Sequence, residues 1–277
     1  MKPSRLHIFQ AYGIELEYMI VNKDSLVVRP ITDEVFKKVI GEYCSDVPRG
    51  PVTWSNELVL HVVEVKCSMP TNDLVQLNAD FASNIRELNE LLQHYEAKLL
   101  PTAAHPLMDP KSNTFLWPHD SNEIYARYNE IFNCQGHGWS NLQSCHINLP
   151  FYDDEEFAQL HAAVRLILPI LPAIAASSPI LDGQNTGFLD KRMDYYQKNQ
   201  RRIPANVGKV IPERAYSKRQ YHKMIYDPIA RAIAPFNHDD LLKPVWVNSR
   251  GAIARFDRGS IEIRILDLQE CPKADLA

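Results

Sequence analysis

The stretch Gly13-Ile14-Glu15-Leu16-Glu17-Tyr18-Met19-Ile20-Val21 constrains this chain more than any other. Its side chains alternate with period two, the signature of a β-strand. Ile14, Leu16, Tyr18 and Ile20 fall on one face, Glu15 and Glu17 on the other. Neighbouring carboxylates repel unless water screens them or a divalent cation lies between them. Taken alone, the pair fits a solvated strand face as well as a metal site. A second strand near the other end, Ser260 to Asp267, repeats the device. There Ile261, Ile263 and Ile265 form the apolar face, while Glu262 and Arg264 share the polar one.

Three further segments carry polar residues into strand patterns. The run Val59 to Val65 is β-branched and predicts a strand buried on both faces, with Glu64 as its one carboxylate. An unpaired buried carboxylate costs several kcal/mol, so Glu64 needs a lysine, an arginine or a metal as partner. Glu57 lies an odd number of positions before Glu64. The two reach one site only if Glu57 sits on a loop or past a bulge. In Leu142 to Leu149, Cys145, Ile147 and Leu149 face inward, while Ser144, His146 and Asn148 face the other way. Taken alone, a histidine in the place of His146 is more often a hydrogen-bonded structural residue than a ligand.

Between these strands the sequence predicts helices. Leu74, Leu77, Phe81, Ile85, Leu88, Leu92 and Tyr95 form an apolar stripe over residues 71–98. Asp153-Asp154-Glu155-Glu156 is acidic in the way a helix N-terminus favours, and Pro169 and Pro172 should kink the helix beyond it. A helix start is also expected at Thr32, at Asp120–Glu123, and over residues 212–225. Short strands are expected at residues 6–10, 27–29, 99–105, 245–250 and 252–256. Asp46 to Thr53, with Pro48, Gly50 and Pro51, reads as a loop, and Gln135–Trp139 as a mobile glycine-rich segment. The basic segment from Lys198 to Lys209 reads as a solvated loop or as a cover for an anion.

The chain of 277 residues has 45% hydrophobic and 23% charged residues, as a globular domain requires. A formal charge of −4 gives no reason to expect a nucleic-acid or membrane partner. Met1 to Arg5 leads into no apolar signal core, and the apolar run from Leu166 to Ala176 is short and broken by prolines. The five cysteines are odd in number, with no CxxC pair, so reduced thiols in the cytoplasm are expected.

Helices alternating with hairpin-like strands predict an α+β fold with an antiparallel sheet, helices on one face and charged groups on the other. That polar face would gather Glu15, Glu17, Glu64, Glu262, His146, Asn148 and Arg264. Excess carboxylate suggests divalent metal, and metal beside an arginine suggests phosphoryl transfer.

With these residues in place, the chain resembles a known family, the type 2 glutamate–cysteine ligases, carboxylate–amine ligases akin to glutamine synthetase. Gly13-Ile14-Glu15-Leu16-Glu17 resembles the family's GxExE strand, and Glu57-Leu58 through Glu64-Val65 its second acidic segment. Ala104-His105-Pro106 is similar to its HP turn. His146-Ile147-Asn148-Leu149 takes the place of an HVHV strand. Ala176-Ser177-Ser178-Pro179, Asp182-Gly183, Thr186-Gly187 and Arg192 resemble its SSP–DG–TG–R block. Ile261 to Asp267 resembles its EVRxxD strand.

The resemblance implies a single catalytic domain over residues 1–277. Its fold would be the curved antiparallel sheet of the glutamine synthetase/guanido kinase type, binding ATP and Mg2+ on the concave face. It implies an acyl phosphate made from a carboxylate, by default that of glutamate, and amide formation with an amine, by default cysteine. Glu15, Glu17, Glu57, Glu64, His146 and Glu262 then fall on magnesium positions. Arg264 falls where the transferred phosphoryl group is held, so Glu262 and Arg264 are the expected catalytic residues. Arg192 and Arg250, from their charge, and Asn148, from its place, are the substrate-binding candidates. The expected partners are small molecules, with a homodimer left open.

Two departures bear on this reading. Asn148 replaces the family strand's second histidine, which bears on metal binding or substrate choice. The family continues with further helices after the last strand, and a chain lacking them is expected to have an open site or no activity. A metal-dependent hydrolase with paired carboxylates, and a non-catalytic nucleotide- or amino-acid-binding module, are the other readings.

Overall fold

The structure, a computed structural model, describes residues 5–277. Met1 to Ser4, part of the stretch read for a secretion signal, lie outside the described residues. The strands in chain order are β1 (Gly13–Asn22), β2 (Asp46–Arg49), β3 (Val52–Asn56), β4 (Val62–Cys67), β5 (Ala97–Leu100), β6 (Ser144–Pro150), β7 (Ile180–Leu181), β8 (Gln184–Asn185), β9 (Ala252–Arg255) and β10 (Ser260–Asp267). Eight of them form one antiparallel sheet, seven in the order β2-β3-β4-β1-β6-β10-β9. The eighth, β5, lies beside the second half of β1, on the flank that β6 occupies along the first half. β7 and β8 make a separate two-stranded ladder. The fold is therefore α+β with an open antiparallel sheet, as the alternation predicts.

The apolar face of the sheet holds the core. Ile14, Leu16, Tyr18 and Ile20 of β1 pack with Trp54, Val63 and Val65, and with Leu77, Phe81, Leu88 and Leu92 of the helix Leu74–Gln93. Each of these helix residues is buried because it recurs at three- or four-residue spacing. Asp73 caps the helix by accepting from Gln76 N, and Trp54 Nε1 donates to Asn84 Oδ1 at 2.9 Å, fixing helix on sheet. Under β6 and β10, Ile261 and Ile263 meet Phe157, Leu160 and Val164 of the helix Asp154–Ile167. That helix stops at Ile167, and a second, Leu171–Ala175, resumes beyond Pro169.

The expected loop over residues 46–53 is instead the β2–β3 hairpin, turning at Gly50 with φ +73°. Pro48 is tolerated because β2 is the sheet edge, where a missing N–H breaks no ladder. The Val59–Val65 strand begins only at Val62, so Glu57 sits on the β3–β4 connection. That loop position is what lets Glu57 share a side with Glu64. Residues 245–250, expected as a strand, open with the helix Pro244–Val247, since Pro244 supplies a helical φ at the first turn. Residues 6–10 form a turn rather than a strand, and Val28 makes only an isolated bridge to Val21. The helix expected from 212 starts at Lys218, capped by Ser217. Gln135–Trp139 contains the start of a short helix, His137–Ser140. A Cβ on its Gly138 would overlap the Asn199 side chain, so close packing explains that glycine.

One irregularity, in β10, sets the layout of the charged face. Ile263 stands opposite Ile147, and Leu266 opposite Cys145, so Arg264 and Ile265 together face His146. This β-bulge shifts the alternation by one residue. Asp267 consequently stands opposite Ser144 on the polar face, where strict alternation would send it to the core. There its Oδ2 accepts from Ser177 N at 2.9 Å and Ser178 Oγ at 2.8 Å, while Arg192 Nη1 lies 3.4 Å from Oδ1. Arg192 also donates to the carbonyls of Ile265 and Arg264. Both partners of the ion pair are fully buried.

These features have two measurable consequences for stability. Asp267→Asn leaves the Arg192 guanidinium buried without its counter-charge, and should cost about 3–5 kcal/mol in urea unfolding; a loss under about 1 kcal/mol would show the pair to be dispensable. The second concerns His61, whose Nε2 donates to the Ser140 carbonyl at 2.7 Å. Burial, against the weaker pull of that carbonyl, lowers its pKa from 6.5 to about 4. The unfolded chain therefore binds the extra proton between pH 6.5 and 4, and stability falls as pH drops through that window. In His61→Gln the stability difference from the parent should shift by about 3 kcal/mol in the variant's favour between about pH 7 and 4. A difference independent of pH would contradict the burial of a neutral imidazole.

Candidate active site

The polar face of β1, β4, β6 and β10 brings the acidic side chains together. Register accounts for the pairing: Glu17 faces Glu64, Glu15 faces both Lys66 and His146, Gly13 faces Asn148, and Asn148 faces Glu262. Directly opposed side chains in a ladder share a face. Gly13 matters here because a Cβ on it would lie 3.0 Å from Asn148 Cβ. Without that Cβ, Asn148 Nδ2 reaches Glu15 Oε1 at 3.0 Å.

His146 lies between two carboxylates, with Nδ1 3.1 Å from Glu15 Oε2 and Nε2 3.5 Å from Glu17 Oε1. Burial disfavours its charge, but Glu17 and Glu15 outweigh burial and raise its pKa to about 9. For Glu15, burial acts upward, and the hydrogen bond and charge of His146, helped by Lys66, bring its pKa down to about 2. Glu17 Oε2 accepts from Ser144 N at 2.7 Å and Ser144 Oγ at 2.9 Å. Glu64 Oε1 accepts from Ser55 Oγ at 2.7 Å and lies 3.0 Å from Lys66 Nζ. Burial and the charge of Glu15 nevertheless raise Glu64 to about 7. Glu57 is pushed well above the usual carboxylate range, by burial and then by Glu17 and Glu64.

Two sets of ligand atoms result, each within 4.8 Å of one another: Glu15, Glu64 and His146 in one, and Glu17, Glu57 and Glu64 in the other. Glu64 belongs to both. The donors are chiefly hard carboxylate oxygens, which suit Mg2+. Among the described residues the Glu57 carboxylate has no hydrogen-bond or ion-pair partner. Mutual repulsion with an unpartnered carboxylate is the electrostatic condition a divalent cation relieves, so these residues fit such an ion.

The polar face is roofed by the helices Asn122–Phe132, His137–Ser140, Lys191–Lys198 and Pro244–Val247. Between sheet and roof lies a cavity of about 510 Å³, within the range of small-molecule sites. Its floor includes Glu17, Ser144, His146 and Arg264, and its roof Tyr125, Tyr128, Trp139 and Trp246. Asn56 Nδ2 donates to Tyr125 Oη at 3.1 Å and to the Glu57 carbonyl, tying roof to acidic loop. The sequence assigns none of the aromatic roof to the site. It places Ser144 on the polar face, but gives no sign of its double donation to Glu17.

The remaining candidates are dispersed. Glu262 stands outside both ligand sets, 3.0 Å from Arg255 Nη1 and 3.7 Å from Arg264 Nε. Arg264 points into the cavity, and its terminal nitrogens make no hydrogen bond with the described residues. Arg192 reaches the cavity wall; Asp267 and two carbonyls engage its Nη1 and Nη2, and its Nε has no partner among the described residues. Arg250 is placed elsewhere: it is buried against Glu213, with Nε 2.6 Å from Oε2, and donates to the carbonyl of Ala205 and to Asn248 Oδ1. A guanidinium so fully engaged has no donor left for a substrate carboxylate, which corrects the expectation drawn from its charge. Asn148 contacts Glu15 and not the cavity.

Comparison with known proteins fits this architecture. A model of the glutamate-cysteine ligase family 2 matches residues 11–277. An uncharacterized protein of Archaeoglobus fulgidus is 36% identical over 268 residues, covering 96% of this chain and 71% of that one. A putative glutamate–cysteine ligase 2 of Rhodopirellula baltica is 26% identical over 185 residues, 66% of this chain and 47% of its own length. This chain thus spans between 47% and 71% of those relatives. The crystal structure of the glutamate–cysteine ligase of Francisella tularensis in complex with AMP shares the fold. Its TM-score is 0.54 at 13% identity, over 95% of this chain and 62% of that one. With a family model matched along nearly its whole length, the chain belongs to glutamate-cysteine ligase family 2.

Proposed function

We propose that this protein is an ATP- and Mg2+-dependent ligase that joins a carboxylate to an amine through an acyl phosphate. Glutamate and cysteine are the default substrates, by likeness to the named relatives. The observation that carries the reading is the pair of carboxylate sets sharing Glu64, set beside a cavity into which Arg264 projects. The AMP bound to the Francisella ligase supports a nucleotide in the same fold.

In the first step a substrate carboxylate oxygen bonds to the γ-phosphorus of ATP, and the bond from that phosphorus to the bridging oxygen breaks, releasing ADP. In the second, the amine nitrogen bonds to the acyl carbon and the carbon–oxygen bond to phosphate breaks. Of the two protons the ammonium loses, one goes to the departing phosphate and one to solvent. Mg2+, when bound, supplies charge neutralisation at the phosphate oxygens. Glu15, Glu64 and His146 would hold one ion, and Glu17, Glu57 and Glu64 another. Arg264 would receive the transferred phosphoryl group, as its unengaged terminal nitrogens allow. Glu262 would hold Arg264 in place from 3.7 Å, with its own charge shared by Arg255. The chemistry asks little covalent participation of the protein; positioning and charge carry most of the catalysis.

The test is phosphate release measured with ATP, Mg2+, glutamate and cysteine together and with each omitted. Release is expected only with all four. Glu15→Gln keeps the shape and the hydrogen bond to Asn148 but removes the charge. It should lower turnover at least about 100-fold while moving the melting temperature by no more than a few degrees. Mg2+-dependent hydrolysis of an amide or ester substrate with no ATP present would favour a hydrolase. Nucleotide-dependent thermal stabilisation without turnover would favour a binding module.

A further inference from the structure

Three of the four clustered carboxylates have one oxygen fixed by a neutral donor from outside the ligand sets. Asn148 Nδ2 holds Glu15 Oε1 at 3.0 Å, Ser144 N and Oγ hold Glu17 Oε2, and Ser55 Oγ holds Glu64 Oε1 at 2.7 Å. Donors of this kind set the rotation of a ligand carboxylate and leave its other oxygen to the ion. Glu57 differs twice. It starts from a loop, and its carboxylate has no hydrogen-bond donor among the described residues.

A donor stands beside it. Asn56 Nδ2 donates to the Glu57 carbonyl at 3.0 Å and to Tyr125 Oη at 3.1 Å, so one amide group grips the Glu57 backbone and the phenol together. Those two bonds use both amide hydrogens, and Tyr125 Oη accepts one of them while keeping its own. The phenol hydrogen has no acceptor among the described residues. Burial, and after it the charge of Glu57, raises Tyr125 to about 12, so the phenol stays protonated at neutral pH. Glu57 and Tyr125 line the same cavity, one from the β3–β4 loop and the other from the roof helix Asn122–Phe132.

We propose that Tyr125 is a positioning residue for the ion held by Glu17, Glu57 and Glu64. Its hydroxyl donates to one Glu57 carboxylate oxygen and turns the other toward the ion, the part that Ser144 plays for Glu17. Asn56 directs the hydroxyl by filling one of its acceptor positions. The contact also ties a roof helix to the acidic floor, so the cavity's cover and its ions are organised together. This rests on the metal sites of the ligase reading and deepens it, by naming two residues that belong to neither ligand set.

The experiment is a calorimetric titration of Mn2+, with ADP present, into the parent, Tyr125→Phe, Glu57→Gln and the double variant. Tyr125→Phe keeps the ring that packs against the core and should leave the melting temperature within a few degrees of the parent's. It should weaken one of two Mn2+ ions about tenfold and spare the other. Glu57→Gln should weaken the same ion, and adding Tyr125→Phe to it should cost nothing further. Asn56→Ala, which keeps both Glu57 and the phenol, should weaken that ion too. Equal Mn2+ binding by the parent and Tyr125→Phe would overturn the inference, as would a loss that persists undiminished in the Glu57→Gln background. Weaker ADP binding with Mn2+ affinities unchanged would assign the hydroxyl to the nucleotide and overturn it as well. Those results leave the metal sites standing, whereas a parent that binds no Mn2+ would remove the sites and this inference together.

Discussion

Repulsion among Glu15, Glu17, Glu57 and Glu64 is the interaction on which the rest of the site depends. Four carboxylates from β1, β4 and the β3–β4 loop are held on one side of the sheet, against the charges of His146 and Lys66. Such a cluster weakens a fold unless something opposes it. The opposing contacts are visible: two donors from Ser144 on Glu17, Ser55 and Lys66 on Glu64, and an imidazole raised to about 9 between Glu15 and Glu17. Glu57 has no such support among the described residues. The arrangement fits a site whose last positive charges arrive with the ligand, and it is rigid because every carboxylate but Glu57 starts from a strand.

The β10 bulge does for the cationic side what register does for the acidic one. It lets Arg264 project into the cavity while Ile265 and Leu266 both stay in the core, and it turns Asp267 back to the polar face to hold Arg192. Arg192 in turn carries the helix Lys191–Lys198, part of the cavity roof. The ion pair therefore links the end of the sheet to the lid over it. Its burial makes it expensive to break, so Arg192 clamps the roof helix to the end of the sheet.

Period-two alternation is enough to place Glu15, Glu17, His146 and Arg264 on one face, because a strand's faces are fixed by geometry alone. Glu57 is legible only as a condition, a loop or a bulge, and the loop holds. The bulge is only hinted at: strict alternation would put Leu266 on the polar face and Asp267 in the core, and the extra residue is located only by the pairing to β6. The β2–β3 hairpin is hidden by Pro48, which breaks a strand except at an edge. Arg250 misleads because charge says nothing of partners; Glu213 claims it from a distant segment. The aromatic roof is invisible for the same reason, since Tyr128, Trp139 and Trp246 converge through tertiary packing and share no sequence period.

The sharing of Glu64 by two sets of ligands is the claim most open to direct measurement. Titrating the protein with Mn2+ in the presence of ADP and monitoring free and bound ion by electron paramagnetic resonance counts the sites and reports whether they are neighbours. The account predicts two Mn2+ bound close enough to couple, with both weakened together in Glu64→Gln. A single independent ion, or two that survive Glu64→Gln unchanged, would contradict it.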